Sequence, residues 1–401
     1  MAISEVEARV LARLADRGRE LEAFLKSLVD INSHTANIDG VNAVGAAVER
    51  HLLESGLRTS AFVTGKAGAH ILGRTRTHAG NRLLLLGHLD TVYPESAKAA
   101  GYRTMSDDEA KALGPGVTDM KGGVTVMLAA VRALAEENLL DDKALTVLLS
   151  ADEETGAPTS AELIAQEAAD HHLCLVFETG ADRGLGRSSI VVERKGMSQW
   201  VVDIAGHEAH AGAAKAEGVS AALEAARKIV ALEALNDLER GISVNVGLVS
   251  AGTAVNTVPG SARLEIDCRF RNQDQADEII EAIEALLATT ETTDAAGVRR
   301  AAIRSEARGF HPAMTPTDAS RRMADRIIAY GRDLGLELDL ESRGGSSDGN
   351  ITAHHGCPTV DGLGTVGGKI HSGEEWVLRR SLVDRASLLA LTMMRFYDLQ
   401  G

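Results

Sequence analysis

Apolar residues recur along this chain in two rhythms. One has the three- and four-residue spacing of an amphipathic helix. The other is the short unbroken run of a strand buried on both faces. Val6, Val10, Leu11, Leu14, Leu21, Phe24 and Leu28 follow the first rhythm and predict a single helix over 5–31. Residues 42–55 read as a second helix closed by Gly56, and two strand-like runs follow near 60–64 and 70–73. Then Leu83-Leu84-Leu85-Leu86-Gly87 runs directly into His88-Leu89-Asp90. Such a strand belongs in the middle of an α/β sheet, where ligands bind beyond the carboxyl ends of the strands.

Two further apolar strands end in the same way. Residues 144–150 lead into Asp152-Glu153-Glu154, and 172–177 lead into Glu178. No Lys or Arg lies between Lys143 and Arg183, so those acids have no local cation. Crowded carboxylates at a strand end are costly unless something positive is near. Between the first and second of these strands, a Gly-Pro-rich loop over 114–123 carries Asp119 into a helix over 120–137. On local grounds Asp119 is a helix cap. Three neighbouring strands ending in His88, Glu153-Glu154 and Glu178, with Asp119 among them, read better as one metal-binding rim.

Near Arg187 the texture changes to alternation, the mark of half-buried antiparallel strands. It covers 189–193, 198–205, 242–249 and 262–270, with helical stretches at 218–236 and 273–287 and a last strand near 298–306. The pattern predicts a small α+β sandwich inserted into a larger domain. The larger domain resumes with helices at 317–334 and 380–398 and a strand at 357–363. Glycine-rich loops at 344–350 and 367–376 lie between them, the second carrying His371. The chain thus divides into a metal-binding domain over 1–186 and 307–401 and an inserted domain over 187–306.

Composition narrows the function. A net charge of −15 and 3% aromatic residues argue against nucleic acid and anionic membranes. No apolar run is long enough to span a bilayer or to serve as a signal-peptide core. Cys174, Cys268 and Cys357 are far apart with no CxxC spacing and read as reduced, buried and inert. The expected compartment is the cytoplasm. No G-x-G-x-x-G follows an early strand, which removes a dinucleotide fold.

The donors suit two divalent metals sharing Asp119, each with one histidine and one glutamate: His88, His371, Glu154 and Glu178. Mixed nitrogen and oxygen ligation favours zinc, with cobalt or manganese as alternatives. Two metals about 3.5–4 Å apart can hold a hydroxide and polarise a carbonyl. Glu153, beside Glu154, is then free to take the proton.

In order, His88-x-Asp90, the loop at 116–123 with Asp119, Glu153-Glu154, Glu178, Gly345–Asp348 and His371 resemble the dinuclear zinc hydrolases. That family includes glutamate carboxypeptidase, acetylornithine deacetylase, succinyl-diaminopimelate desuccinylase and aminoacylase-1. The resemblance implies an α/β zinc-peptidase-like domain with a mixed, mainly parallel sheet, plus an α+β dimerisation or lid domain. It implies His88, Asp119 and Glu178 on one metal, and Asp119, Glu154 and His371 on the other. Asp90 becomes an orienting carboxylate, Glu153 the general base, and the Asp119–Met120 peptide cis. In His207-Glu208-Ala209-His210-Ala211-Gly212, His210 matches the histidine that reaches the partner subunit's site in a homodimer. Asn256 and Arg308 match substrate-binding positions. Glu178 and the 345–348 and 373–375 sequences look most like the glutamate carboxypeptidase side. The expected function is a metallopeptidase or amidohydrolase cleaving the amide of an N-acyl amino acid or dipeptide with a free carboxylate. The alternatives are a deacylase of the acetylornithine type, a divergent aminohydrolase on the same metals, and a metal-binding protein without turnover.

Overall fold

The computed structural model describes residues 3–97 and 101–398. The first stretch of chain forms α1 (Glu5–Asp16), α2 (Gly18–Val29), α3 (Ile38–Glu54), β1 (Arg58–Phe62), β2 (His70–Arg74) and β3 (Arg82–His88). It continues through β4 (Arg103–Thr104), β5 (Lys111–Leu113), α4 (Lys121–Glu136) and β6 (Ala144–Ser150). Then come α5 (Ala161–Asp170), β7 (Leu173–Val176), β8 (Gly180–Ala181) and β9 (Arg187–Arg194). The middle stretch holds β10 (Gly196–Ala205), α6 (Ala221–Glu233), β11 (Ser243–Ala251), β12 (Ser261–Phe270), α7 (Gln273–Leu287) and β13 (Ala302–His311). The last holds α8 (Asp318–Asp333), β14 (Glu337–Arg343), α9 (Asp348–His354), β15 (Thr359–Val360), β16 (Val366–Gly368), β17 (Trp376–Leu378) and α10 (Ser381–Tyr397). Two compact units result: residues 1–193, 315–343 and 347–401 form one, and 194–314 with 344–346 form the other.

The first unit is built on a six-stranded mixed sheet ordered β1-β2-β6-β3-β7-β15. β3 runs parallel to both β6 and β7. The three strands read from sequence as neighbours are therefore adjacent, and their carboxyl ends open on one edge. The leucine run is apolar on both faces because both faces are covered. Leu83 and Leu85 enter a core shared with helices α1–α4 and α10, whereas Leu84 and Leu86 enter another with residues of α5 and α9. All four are 0% exposed. Tight backbone packing brings α4 onto this sheet. A Cβ on Gly123 would lie 2.0 Å from the carbonyl oxygen of Phe177, just beyond β7.

Several boundaries differ from the sequence reading. The helix expected over 5–31 is two, α1 and α2, meeting at Arg17. Arg17 leaves the helical conformation there (φ −96°, ψ 8°), and the periodic pattern hides the break because Val10, Leu14, Leu21, Leu25 and Leu28 stay buried across the joint. The 344–350 stretch is partly helical, since Ser347 caps α9. The 367–376 loop is bounded by β16 and β17, in a five-stranded sheet ordered β4-β5-β17-β16-β8. β9 pairs with β14 and takes no place in the four-stranded sheet. Nor is β9 half-buried as its alternation suggests: Ser189, Ile190, Val191 and Val192 are all buried, and alternation says nothing of which partner a strand chooses.

The second unit is an antiparallel sheet ordered β11-β12-β10-β13 with α6 and α7 packed on it. Its core gathers Val202, Ile204, Leu264, Ile266, Ile279 and Ile283. The last strand spans 302–311 where 298–306 was expected. β13 carries a bulge: Gly309 pairs with Gln199 and Ala307 with Trp200, leaving Arg308 as the extra residue. Among the described residues no helix is long and apolar enough to cross a membrane.

The Gly123 contact generates a test. Gly123→Ala forces a methyl against a main-chain oxygen, and overpacking of this kind costs about 1–3 kcal/mol. Urea unfolding followed by circular dichroism is expected to show a loss of that size, without change in the denaturant slope.

Candidate metal centre

The site is assembled where strands end. β3 delivers His88 at its last position, and β6 leads through a short 3-10 turn to Glu153 and Glu154. β7 ends two residues before Glu178. Asp119 enters from the loop before α4, across a cis Asp119–Met120 peptide. It is not a cap: the N-cap of α4 is Met120, with no side-chain capping bond. His371 comes from the late glycine-rich loop with φ +59°, in the left-handed region that non-glycine residues rarely adopt.

Asp119 stands at the centre. Its Oδ1 lies 3.3 Å from His88 Nε2 and its Oδ2 3.2 Å from His371 Nε2. Around it, His88 Nε2 is 3.6 Å from Glu178 Oε1 and 4.0 Å from Glu153 Oε2. His371 Nε2 is 3.3 Å from Glu154 Oε2. One atom each from His88, Asp119 and Glu154 fall within 4.8 Å of one another, close enough to share a cation. His88 Nε2 and Glu154 Oε1 are buried without a hydrogen-bond partner among the described residues. Buried polar atoms are seldom left so, and this donor set suits a divalent ion of the zinc class.

Asp90 serves both sides of the rim. Its backbone carbonyl accepts from His88 Nδ1 at 2.9 Å, which holds a proton on that nitrogen and leaves Nε2 as the one turned to the site. Its carboxylate, 3.4 Å from the same ring nitrogen, accepts from the backbone N–H of Glu153 and of Glu154 at 3.3 Å and from Thr35 Oγ1 at 2.6 Å.

Burial pushes the Glu153 carboxyl well above the usual range; His88 opposes this, while Glu178, Asp348 and Glu154 add to it. Burial likewise raises Glu154, against His371. Asp119 is held well below the ordinary carboxylate range. Burial works against this, but the imidazoles of His371 and His88, each within 3.3 Å, prevail. The same carboxylates, Asp119 first and then Glu154, raise His371 to about 10.

In the second unit, His210 is exposed, and its Nδ1 accepts from the backbone N–H of Gly212 and Ala213 at 3.2 and 3.1 Å. The ring proton is thereby placed on Nε2. Asn256 and Arg308 are exposed as well. The backbone carbonyl of Asn256 accepts from Ala211 N–H at 2.8 Å, tying its loop to that of His210.

Residues 84–395 match the model of peptidase family M20/M25/M40. The chain belongs to the M20 peptidase family. It is 29% identical over 374 residues to carboxypeptidase G2 of Pseudomonas sp. (strain RS-16), covering 92% of this chain and 87% of that protein. It is 26% identical over 308 residues to succinyl-diaminopimelate desuccinylase of Novosphingobium aromaticivorans, covering 74% and 76%. A tripeptidase structure from Staphylococcus aureus superposes with a TM-score of 0.78 at 23% identity, covering 95% and 99%. The protein is thus an M20 hydrolase, a peptidase or deacylase, of a metal-dependent family.

Two parts of this M20 site escaped the sequence reading. Thr35 lies in a polar stretch with no motif to mark it. Glu375 enters it only within the family-like 373–375 sequence and is given no role, although a glutamate just before β17 that is only 1% exposed is an unusual occupant.

A raised folded-state pKa means that His371 contributes stability below the unfolded value near 6.5 and loses it as pH rises through about 10. In metal-free enzyme, histidine C2-proton NMR at pH 8 is expected to show His371 still protonated, and uptake of a divalent ion at that pH to release its proton.

Proposed function

We propose that this enzyme hydrolyses the amide bond of an N-acyl or peptidyl amino acid that carries a free carboxylate, using two divalent metal ions. Zinc is the first choice, with cobalt or manganese as substitutes. One observation carries the reading: the two oxygens of Asp119 face different histidines, His88 at 3.3 Å and His371 at 3.2 Å. A bridging carboxylate needs that arrangement. On this reading His88, Asp119 and Glu178 hold one ion, and Asp119, Glu154 and His371 the other. When bound, such ions polarise a carbonyl and acidify water.

The protein's own groups do the rest. Glu153, 4.0 Å from His88 Nε2 and outside the ligand set, takes a proton on its carboxylate from the attacking water. It then gives that proton to the departing nitrogen, so that water is divided between an acid and an amine. Asp90 keeps the His88 ring turned. His210 of a second copy donates its Nε2 proton to the oxyanion that develops on the carbonyl, in a homodimer. Asn256 and Arg308 bind substrate, Arg308 through the carboxylate. The name of the 29% identical relative, a carboxypeptidase, supports the preference for a free carboxylate. The buried free thiols of Cys174, Cys268 and Cys357 suit a reducing, cytoplasmic setting.

Glu153→Ala is expected to keep its metal content and melting temperature while kcat falls about 10²–10⁴-fold, the usual worth of a general base. An active Glu153→Ala enzyme would remove that assignment. A chelator is expected to abolish turnover and added zinc, cobalt or manganese to restore it. On a panel of N-acyl amino acids and dipeptides, amidation of the terminal carboxylate is expected to abolish cleavage. Undiminished cleavage of the amidated set would sink the substrate class.

A further inference from the structure

Glu375 lies four residues beyond His371, on the same loop, and is 1% exposed. Its carboxylate is enclosed by donors. Oε1 accepts from the backbone N–H of Thr118 at 2.8 Å and of Asp119 at 3.0 Å. Oε2 accepts from the backbone N–H of Gly116 at 3.0 Å and from Tyr93 Oη at 2.6 Å. The same phenol lies 3.0 Å from the carbonyl of Ser372, next to His371. The Gly114 N–H also reaches the Glu375 backbone carbonyl, at 3.3 Å.

One buried anion therefore joins the two loops that supply Asp119 and His371. It grips the main chain of Asp119 itself. We propose that Glu375 is a positioning residue for the metal centre: it fixes the loop of the bridging Asp119 against the loop of His371, so that both Asp119 oxygens keep their separate directions. This rests on the two-metal reading above and extends it to a residue outside the ligand set. A neutral side chain of the same shape cannot replace it. Whichever way a glutamine turned, its amino group would face backbone N–H donors, at Gly116 on one side or at Thr118 and Asp119 on the other. The Asp119 loop would then move, and with it the geometry offered to an ion.

The test is cobalt(II) titration of metal-free, full-length wild type, Glu375→Gln and Tyr93→Phe. Affinity, the visible bands of the bound ion and the melting temperature of the metal-free protein are all recorded. Glu375→Gln is expected to bind cobalt ten- to a hundred-fold more weakly, the usual effect of losing a partner behind a ligand. Its bands are expected to shift as well. Tyr93→Phe, which removes one of the four donors, is expected to show a smaller change in the same direction. Wild-type affinity and bands in folded Glu375→Gln would overturn the proposal. So would weaker binding with unaltered bands and a matching fall in melting temperature, since that is mere loosening of a loop. If Glu375→Gln does not fold, Tyr93→Phe decides: shifted bands support the role and unchanged bands overturn it. Wild-type protein that takes up no cobalt would instead defeat the metal reading itself, a distinguishable failure.

Discussion

The molecule's chemistry depends on keeping like charges together. Asp119, Glu153, Glu154 and Glu178 are gathered around two imidazoles, with side-chain exposures between 5 and 15%. Ionised groups in so dry a place are each penalised by several kcal/mol unless opposite charge is close. Within the protein that charge comes from His88 and His371, and it is only part of what the carboxylates require. The raised carboxyls of Glu153 and Glu154 express the shortfall. An affinity for cations is what such an excess produces.

The sheet makes the gathering feasible. Because β6, β3 and β7 are parallel and adjacent, their ends deliver side chains to one edge without long loops. His88 is level with Ser150 across the β3–β6 ladder, so the acid pair begins only three residues past that rung. Ser150 also donates to the buried carboxylate of Asp348 at 2.6 Å. Support from beneath thus comes from α9, through the sequence around 345–348 that had attracted notice without a role.

Much of this was legible because burial writes a plain signature. Four consecutive leucines can be accommodated only where both faces are covered, and the polar residues that interrupt such runs mark the sheet's edge. The candidate ligands could be picked out for the same reason, as polar residues placed where polarity is costly. What stayed hidden depends on three-dimensional choice. The turn at Arg17 preserves the apolar stripe, so no periodicity could reveal it. The pairing of β9 with β14 and the bulge that sets Arg308 apart are decisions about register, which alternation does not encode. Glu375 grips main chain, and main-chain donors have no letters in a sequence, while Thr35 reaches the Asp90 carboxylate through a single hydroxyl from a stretch with no motif.

The contact between Gly123 and the Phe177 carbonyl has a wider meaning. It is a stop between two stretches of backbone, with no side chain in between. The spacing of the segments that hold Asp119 and Glu178 is therefore set by main chain and immune to rotamer hopping. Slow amide exchange in the opening turn of α4 would consequently serve as a gauge of how firmly the whole constellation is assembled.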